Sequence, residues 1–142
     1  MRAVLDTNVL VSGLISPHGP PAEIITRWLA GEFTLLYTQA TIGELEDVLN
    51  RTWLKARLAK SPDQVRDLLE AVSVLGTLVT GYVNVTGSAA DPFDEMFLAC
   101  AVLGEADYVV SGDKELLAIV EFGGAEIVRP ARFLDILYEL EG

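Results

Sequence analysis

Four carboxylates stand at places where an α/β chain can put them to chemical use: Asp6, Glu44, Asp94 and Asp113. Asp6 follows directly on the apolar run Ala3-Val4-Leu5, and Asp113 closes the polar tip Ser111-Gly112-Asp113 that follows Tyr108-Val109-Val110. In open parallel α/β sheets ligands bind beyond the carboxyl ends of the strands, so acids at strand tips carry more weight than acids elsewhere. Glu44 and Asp94 fall early in two helical segments that, in this topology, start on the same side of the sheet. Carboxylates gathered in this way are what a site for hard divalent cations requires.

Each acid also has a plainer use. Glu44 lies three residues after Thr41, the spacing of a capping box. Asp91, before Pro92, reads as a helix cap, and Asp94 and Glu95 favour the positive end of a helix dipole, worth about 0.3 to 1 kcal/mol. Asp113 can cap a helix beginning at Lys114, and Asp6 one beginning at Asn8. For Asp6 this explanation is weakest, because Thr7 and Asn8 could cap as well. The single histidine, His18, sits in the loop Ser16-Pro17-His18-Gly19-Pro20-Pro21, which suits a solvated residue and argues against a histidine-based hydrolase.

The elements that must position these acids alternate. A strand over 3–5 leads into a helical turn or two over 8–15. The spacing of Ile24, Ile25, Trp28 and Leu29 predicts an amphipathic helix from Pro21 to a stop at Gly31, then a strand over 33–37. Residues 41–49 carry Ile42, Leu45, Val48 and Leu49 on one helical face, with helix resuming through Leu54 and Leu58. Ser61-Pro62-Asp63 opens another helix that buries Val65, Leu68, Leu69 and Val72. Residues 78–79 form a short third strand or edge segment, and 83–85 is a weaker extended candidate. A helix over 92–103 turns Met96, Ala99, Cys100 and Leu103 inward. The strand 108–110 follows, then a short helix through Val120, a strand at 126–128 and a final helix from Pro130. Alternating β and α elements imply a parallel sheet covered by helices on both faces.

Composition sets the bounds. The chain has 142 residues, 51% of them hydrophobic, enough for one substantial core, and one domain is expected. Apolar stretches are interrupted well before the roughly 18 to 20 residues that span a bilayer, and Asp6 and Asn8 break the run where a signal peptide needs it whole. A cytoplasmic, membrane-free protein is the expectation. Cys100 is the sole cysteine, so neither an internal disulfide nor a cysteine-based zinc cluster can form, and its apolar neighbours point to an ordinary buried thiol. A net charge of −11 repels a polyanion unless cations or a local basic surface offset it. Arg27, Arg51, Lys55, Arg57, Lys60 and Arg66 supply most of the positive charge of the first half. Those from Arg51 to Arg66 can reach a phosphate backbone, although a solvated helix face is the plainer use.

The motifs Val4-Leu5-Asp6-Thr7-Asn8-Val9-Leu10, Glu44-Leu45, Asp91-Pro92-Phe93-Asp94-Glu95-Met96-Phe97-Leu98-Ala99 and Tyr108-Val109-Val110-Ser111-Gly112-Asp113-Lys114-Glu115-Leu116-Leu117 stand in an order and spacing that resembles the PIN-domain family. The likeness is especially to its bacterial and archaeal VapC-like toxin branch, and it spans nearly the whole chain. The resemblance implies a three-layer α/β/α fold with a central parallel sheet of about four to five strands. It assigns the four acidic catalytic and metal-binding positions to Asp6, Glu44, Asp94 and Asp113, with Thr7, Asn8 and Ser111 as accompanying polar residues. Asp91 or Glu95 could take or share the place of Asp94.

The implied activity is divalent-metal-dependent cleavage of RNA by the toxin of a toxin–antitoxin pair, with an antitoxin protein and a homodimer or higher homo-oligomer as partners. An all-oxygen donor set favours Mg²⁺ or Mn²⁺ over zinc, and two such ions about 3.5 to 4 Å apart can clamp a phosphodiester during in-line attack.

The alternative of another class is a PIN-like protein-interaction module with little intrinsic nuclease activity, which the net charge keeps open. Leu14, Ile15, Trp28 and Trp53 could serve dimerisation or antitoxin binding, with core packing as their commoner use. Two other α/β classes fit less well. An aspartate-nucleophile phosphohydrolase needs Asp-x-Asp where this chain has Asp6-Thr7-Asn8, and a phosphoacceptor receiver needs a lysine where the late strand ends in Ser111-Gly112-Asp113.

Overall fold

The computed structural model describes residues 1–51, 54, 56–57 and 62–141. Its strands are β1 (Arg2–Leu5), β2 (Thr34–Tyr37), β3 (Thr77–Leu78), β4 (Tyr108–Val110), β5 (Glu121–Phe122) and β6 (Ala125–Val128). Its helices are α1 (Thr7–Ile15), α2 (Pro20–Leu29), α3 (Gln39–Leu49), α4 (Pro62–Leu75), a 3₁₀ turn (Pro92–Asp94), α5 (Glu95–Leu103), α6 (Lys114–Leu117) and α7 (Pro130–Glu141). The continuation of helix expected through Leu58, and the side chains of Trp53, Lys55 and Lys60, lie outside the described residues.

The strands form one sheet in the order β3-β2-β1-β4-β6-β5. Every neighbouring pair is parallel except β5 and β6. The sheet therefore has six strands and an antiparallel edge, where four to five parallel strands were expected. The extra strand comes from a hairpin in which Phe122 pairs with Ala125 across Gly123 and Gly124, at φ 57° and 87°. Two successive positive φ angles are what a tight two-residue turn needs, and glycine adopts them without a Cβ penalty. Residues 83–85 form no strand.

Side-chain alternation divides the core. Ala3 and Leu5 of β1, Leu35 of β2, Val110 of β4 and Val128 of β6 pack on one face with α1, α2, α3, α4 and α7. Val4, Leu36, Val109 and Ile127 point to the other face, against Phe97, Leu98, Cys100 and Ala101 of α5 and Leu116 of α6. Both faces of the central strands are thus dry, as a parallel sheet between helical layers demands. Phe133 of α7, fully buried, meets Phe33 edge-on at 5.1 Å and Tyr108 at 5.9 Å. Trp28 is core rather than surface at 4% exposure, and Leu14 and Ile15 are half-buried against the same cluster. Cys100 is buried as expected, and burial pushes its thiol pKa up to about 12. Among the described residues, no helix is long and apolar enough to cross a membrane.

The strand order fixes where a ligand can sit. From β1 the chain moves outward through β2 to β3, then returns to the other side of β1 for β4. The order reverses between β1 and β4, and the crevice outside their carboxyl ends is the switch point at which α/β sheets bind ligands.

Candidate active site

Asp6 and Asp113 follow these two strands and are joined through Ser111. The Asp6 backbone N–H donates to the Val110 carbonyl at 2.9 Å, continuing the β1–β4 ladder to the acid itself. The buried Ser111 hydroxyl donates to Asp6 Oδ2 at 2.7 Å and accepts from the Asp113 backbone N–H at 3.0 Å. One hydroxyl therefore sets both strand-tip acids. Asp6 is also the N-cap of α1, its Oδ1 accepting from the Asn8 N–H at 3.3 Å, and Asp113 caps α6 through the Glu115 N–H at 2.8 Å. The capping use, weakest for Asp6 on sequence, is thus realised. Capping fixes the carboxylates without using all their acceptor sites, since each oxygen has two lone pairs.

Glu44 shows the reverse. The capping box of α3 is formed three residues earlier than expected, between Thr38 and Thr41, whose side chains exchange bonds of 3.2 and 2.9 Å with each other's backbone N–H. Glu44 is left without a capping role, half-buried, on the cleft-facing stripe it shares with Val48 and Arg51. The segment expected as one helix over 92–103 begins instead with the 3₁₀ turn, which Asp91 caps through the Phe93 N–H at 3.0 Å.

Asp6, Thr7, Asn8, Glu44, Asp91, Asp94 and Asp113 line a common cleft of about 290 Å³, together with Val48, Arg51, Phe93 and Phe97. All four acids expected from the sequence reach it, with Thr7 and Asn8 beside them, and Asp91 joins them. Glu95 does not: its Oε1 accepts the Gly87 N–H at 3.0 Å and ties down the preceding loop. Glu115 was not foreseen. Its carboxylate lies with those of Asp94 and Asp113 in a group whose oxygens are within 4.8 Å of one another, and its place in the first turn of the helix opened by Asp113 was the available signal.

The electrostatics are unbalanced. Arg51 is the one cation among the described residues lining the cleft, against five carboxylates. Desolvation, followed by the nearby charges of Asp113, Asp6 and Asp91, pushes the Asp94 pKa up to about 7, and a hydrogen bond with Asp113 adds to the rise. Asp6 is raised as well, by desolvation first, with the Ser111 and Asn8 hydrogen bonds opposing. Such groups hold a proton or a cation in preference to bare charge. Three oxygen donors this close fit a small hard cation, which takes oxygens at about 2.0 to 2.1 Å. The residues present therefore suit Mg²⁺ or Mn²⁺.

A mostly parallel α/β sheet with an acid-lined cleft at its switch point is the frame within which the comparisons with known proteins fall. Residues 2–115 match the PIN domain family, and the chain belongs to it; PIN domains are generally nucleases. The uncharacterized protein MJ1680 of Methanocaldococcus jannaschii is 27% identical over 122 residues, covering 84% of this chain and 75% of that protein. VapBC2 from Rickettsia felis, solved bound to a DNA fragment from its promoter, superposes with a TM-score of 0.60 at 15% identity, over 91% of this chain and 98% of that one. PAE2754 from Pyrobaculum aerophilum does so with a TM-score of 0.59 at 18% identity, over 97% and 89%. These two structures share the fold.

Proposed function

We propose that the protein is a Mg²⁺- or Mn²⁺-dependent endoribonuclease, acting as the toxin of a toxin–antitoxin pair. The observation that carries the catalytic reading is the convergence of Asp6, Glu44, Asp94 and Asp113 on one cleft at the switch point. In this reading Asp6, Asp94 and Asp113, with Glu115 at the rim, hold the cation, and Glu44 completes the set from α3. When bound, the ion supplies the positive charge that draws in the scissile phosphate and makes a water acidic enough to attack it.

The chain's own residues do the rest. Ser111 holds Asp6 and Asp113 in register. Asp94, with its pKa pushed up to about 7, keeps a proton near neutral pH until positive charge displaces it. In this reading Glu44, free of capping duty, accepts the proton of the attacking water. Membership of the PIN domain family supports the nuclease class, and the likeness to VapBC2 supports an antitoxin partner.

Purified protein and Asp6→Asn, incubated with structured RNAs in Mn²⁺, Mg²⁺ or EDTA, test the catalytic reading. Cleavage by the unmodified protein in Mn²⁺ or Mg²⁺, lost in EDTA and reduced at least ~100-fold in the variant, is expected, since even partners that only orient metal ligands are worth about 10- to 100-fold. Equal cleavage by both proteins refutes the assigned site. The toxin role is tested by whether a small protein encoded immediately upstream binds the purified chain and suppresses cleavage.

A further inference from the structure

We propose that residues 79–85 and the groove beside them form the face on which a second copy of this chain docks, each copy seating Tyr82 in the other's groove across a two-fold axis. The face shares no residue with the acid cleft. Its groove, about 330 Å³, lies between the start of α3 at Thr38 and Gln39, the α5 residues Met96, Ala99 and Leu103, and residues 79–83. Tyr82 stands on the rim, 85% exposed. Just before it the chain turns at Gly81, over Leu103 of α5, at φ 113°, an angle that glycine adopts without a Cβ penalty.

Charge identifies the occupant. In a chain with 10 basic and 21 acidic side chains, residues 71–90 carry none, and none is among the described residues lining the groove. Two copies with a net charge of −11 each repel wherever their acidic surfaces meet, so they approach at least cost where neither brings charge. A basic protein finds no carboxylates on this face, and a nucleic acid finds no cations. The shape also fits itself. A protruding ring beside a hollow on one surface is what a two-fold interface needs, because both copies contribute the same patch. Two tyrosine rings supply about 300 to 500 Å² of the roughly 1,600 Å² that a stable pair buries, which leaves the larger share to the backbone segment and the groove walls.

The backbone segment is open for that share. The Val79 N–H continues the β2–β3 ladder by donating to the Tyr37 carbonyl at 2.8 Å, but the N–H groups of residues 80–85 donate to nothing among the described residues. From Tyr82 to Thr86 exposure alternates, with Val83 and Val85 half-buried and Tyr82, Asn84 and Thr86 exposed, the pattern of a strand. Extended backbone with free N–H groups and no guarding charge is a template on which another chain adds. Two copies of one segment related by a two-fold axis across it run antiparallel, which supports the perpendicular hydrogen-bond ladder.

The test is sedimentation equilibrium of the full chain over a range of protein and salt concentrations. A dimer is expected, and added NaCl should tighten it, since salt screens the repulsion between two acidic copies. Tyr82→Ala should raise the dimer Kd at least ~30-fold, the loss of one hot-spot ring. Tyr82→Glu, which sets like charges across the axis, should leave monomer, with circular dichroism checking that both variants fold. Leu29→Glu, on the separate groove between α1, α2 and α4, should leave the dimer Kd unchanged. Hydrogen exchange at the amides of residues 80–85 should slow as the dimer forms.

A chain that is monomeric at every concentration overturns the proposal, as does a dimer that Tyr82→Glu leaves intact or that Leu29→Glu abolishes instead. A dimer weakened by salt also overturns it, because ion pairs would then hold the copies together. Protection of the 80–85 amides only when a different protein is added assigns the face to that partner and overturns it as well.

Discussion

Two charged regions of this molecule use the same residue types to opposite effect. Around Arg27 the charges are answered: its guanidinium meets Glu32 at 2.8 Å, Glu141 at 2.6 Å and Glu23 at 3.4 Å, and lies 4.2 Å over the Tyr138 ring. The Glu141 hydrogen bond most of all, then Tyr138 and Glu32, make the arginine harder to deprotonate, while the Glu141 carboxylate is lowered in turn. In the acid cleft carboxylates face one another, and desolvation, followed by the charges of Asp113, Asp6 and Asp91, drives Asp94 up to about 7. The difference teaches that density of charge does not mark a site. Charge left unanswered does, because a fold tolerates the repulsion only where something outside the chain relieves it.

The comparison is broken most sharply at Asp94. An acid whose folded pKa lies above its unfolded value near 3.8 binds its proton more tightly when folded, so metal-free protein should lose stability as pH rises from about 4 to about 7. Asp6, also raised, contributes with the same sign. Thermal midpoints measured in EDTA across that range should fall, and added Mn²⁺ should stabilise more at pH 8 than at pH 6. Asp94→Asn should flatten the metal-free profile and bind Mn²⁺ at least ~10-fold more weakly by calorimetry. A metal-free stability that rises over this window would contradict the raised Asp94 pKa.

A smaller effect is expected at Ser111, which binds no cation in this reading but orients two acids. Ser111→Ala should cost about 10- to 100-fold in Mn²⁺ affinity or in cleavage. It should also leave the buried Asp6 oxygen short of a donor, seen as a lower thermal midpoint. Unchanged metal affinity would show that capping alone positions Asp6. Smallest of all, Arg27→Met should lower the thermal midpoint while leaving the kcat of RNA cleavage untouched. A change in kcat would join the two regions that the structure holds apart.

Much of this was legible in the chain, for reasons that differ by element. Asp6 and Asp113 could be read because a short apolar strand ending in a polar tip has few other meanings in an alternating β/α pattern. Glu44 was harder. Thr41-x-x-Glu44 satisfies the capping-box pattern, and only the structure shows that Thr38 opens the helix and Thr41 closes the box with its own hydroxyl. The edge hairpin was announced by Gly123-Gly124, but β5 has two residues, too few for any periodicity to register. Glu95 and Glu115 could not be sorted by spacing. One turn of helix decides whether a carboxylate faces the cleft or, as with Glu95, takes the N–H of Gly87 in the loop before it.

The last helix gives the fold a timetable. All four acids have been synthesised by residue 113, yet the layer that covers Tyr108 and Phe33 waits for Phe133, and the clasp on Arg27 for Glu141. Because chains are synthesised from the amino terminus, every residue lining the cleft is in place along the chain before Phe133 is added. The cleft therefore depends on a helix that supplies none of its lining.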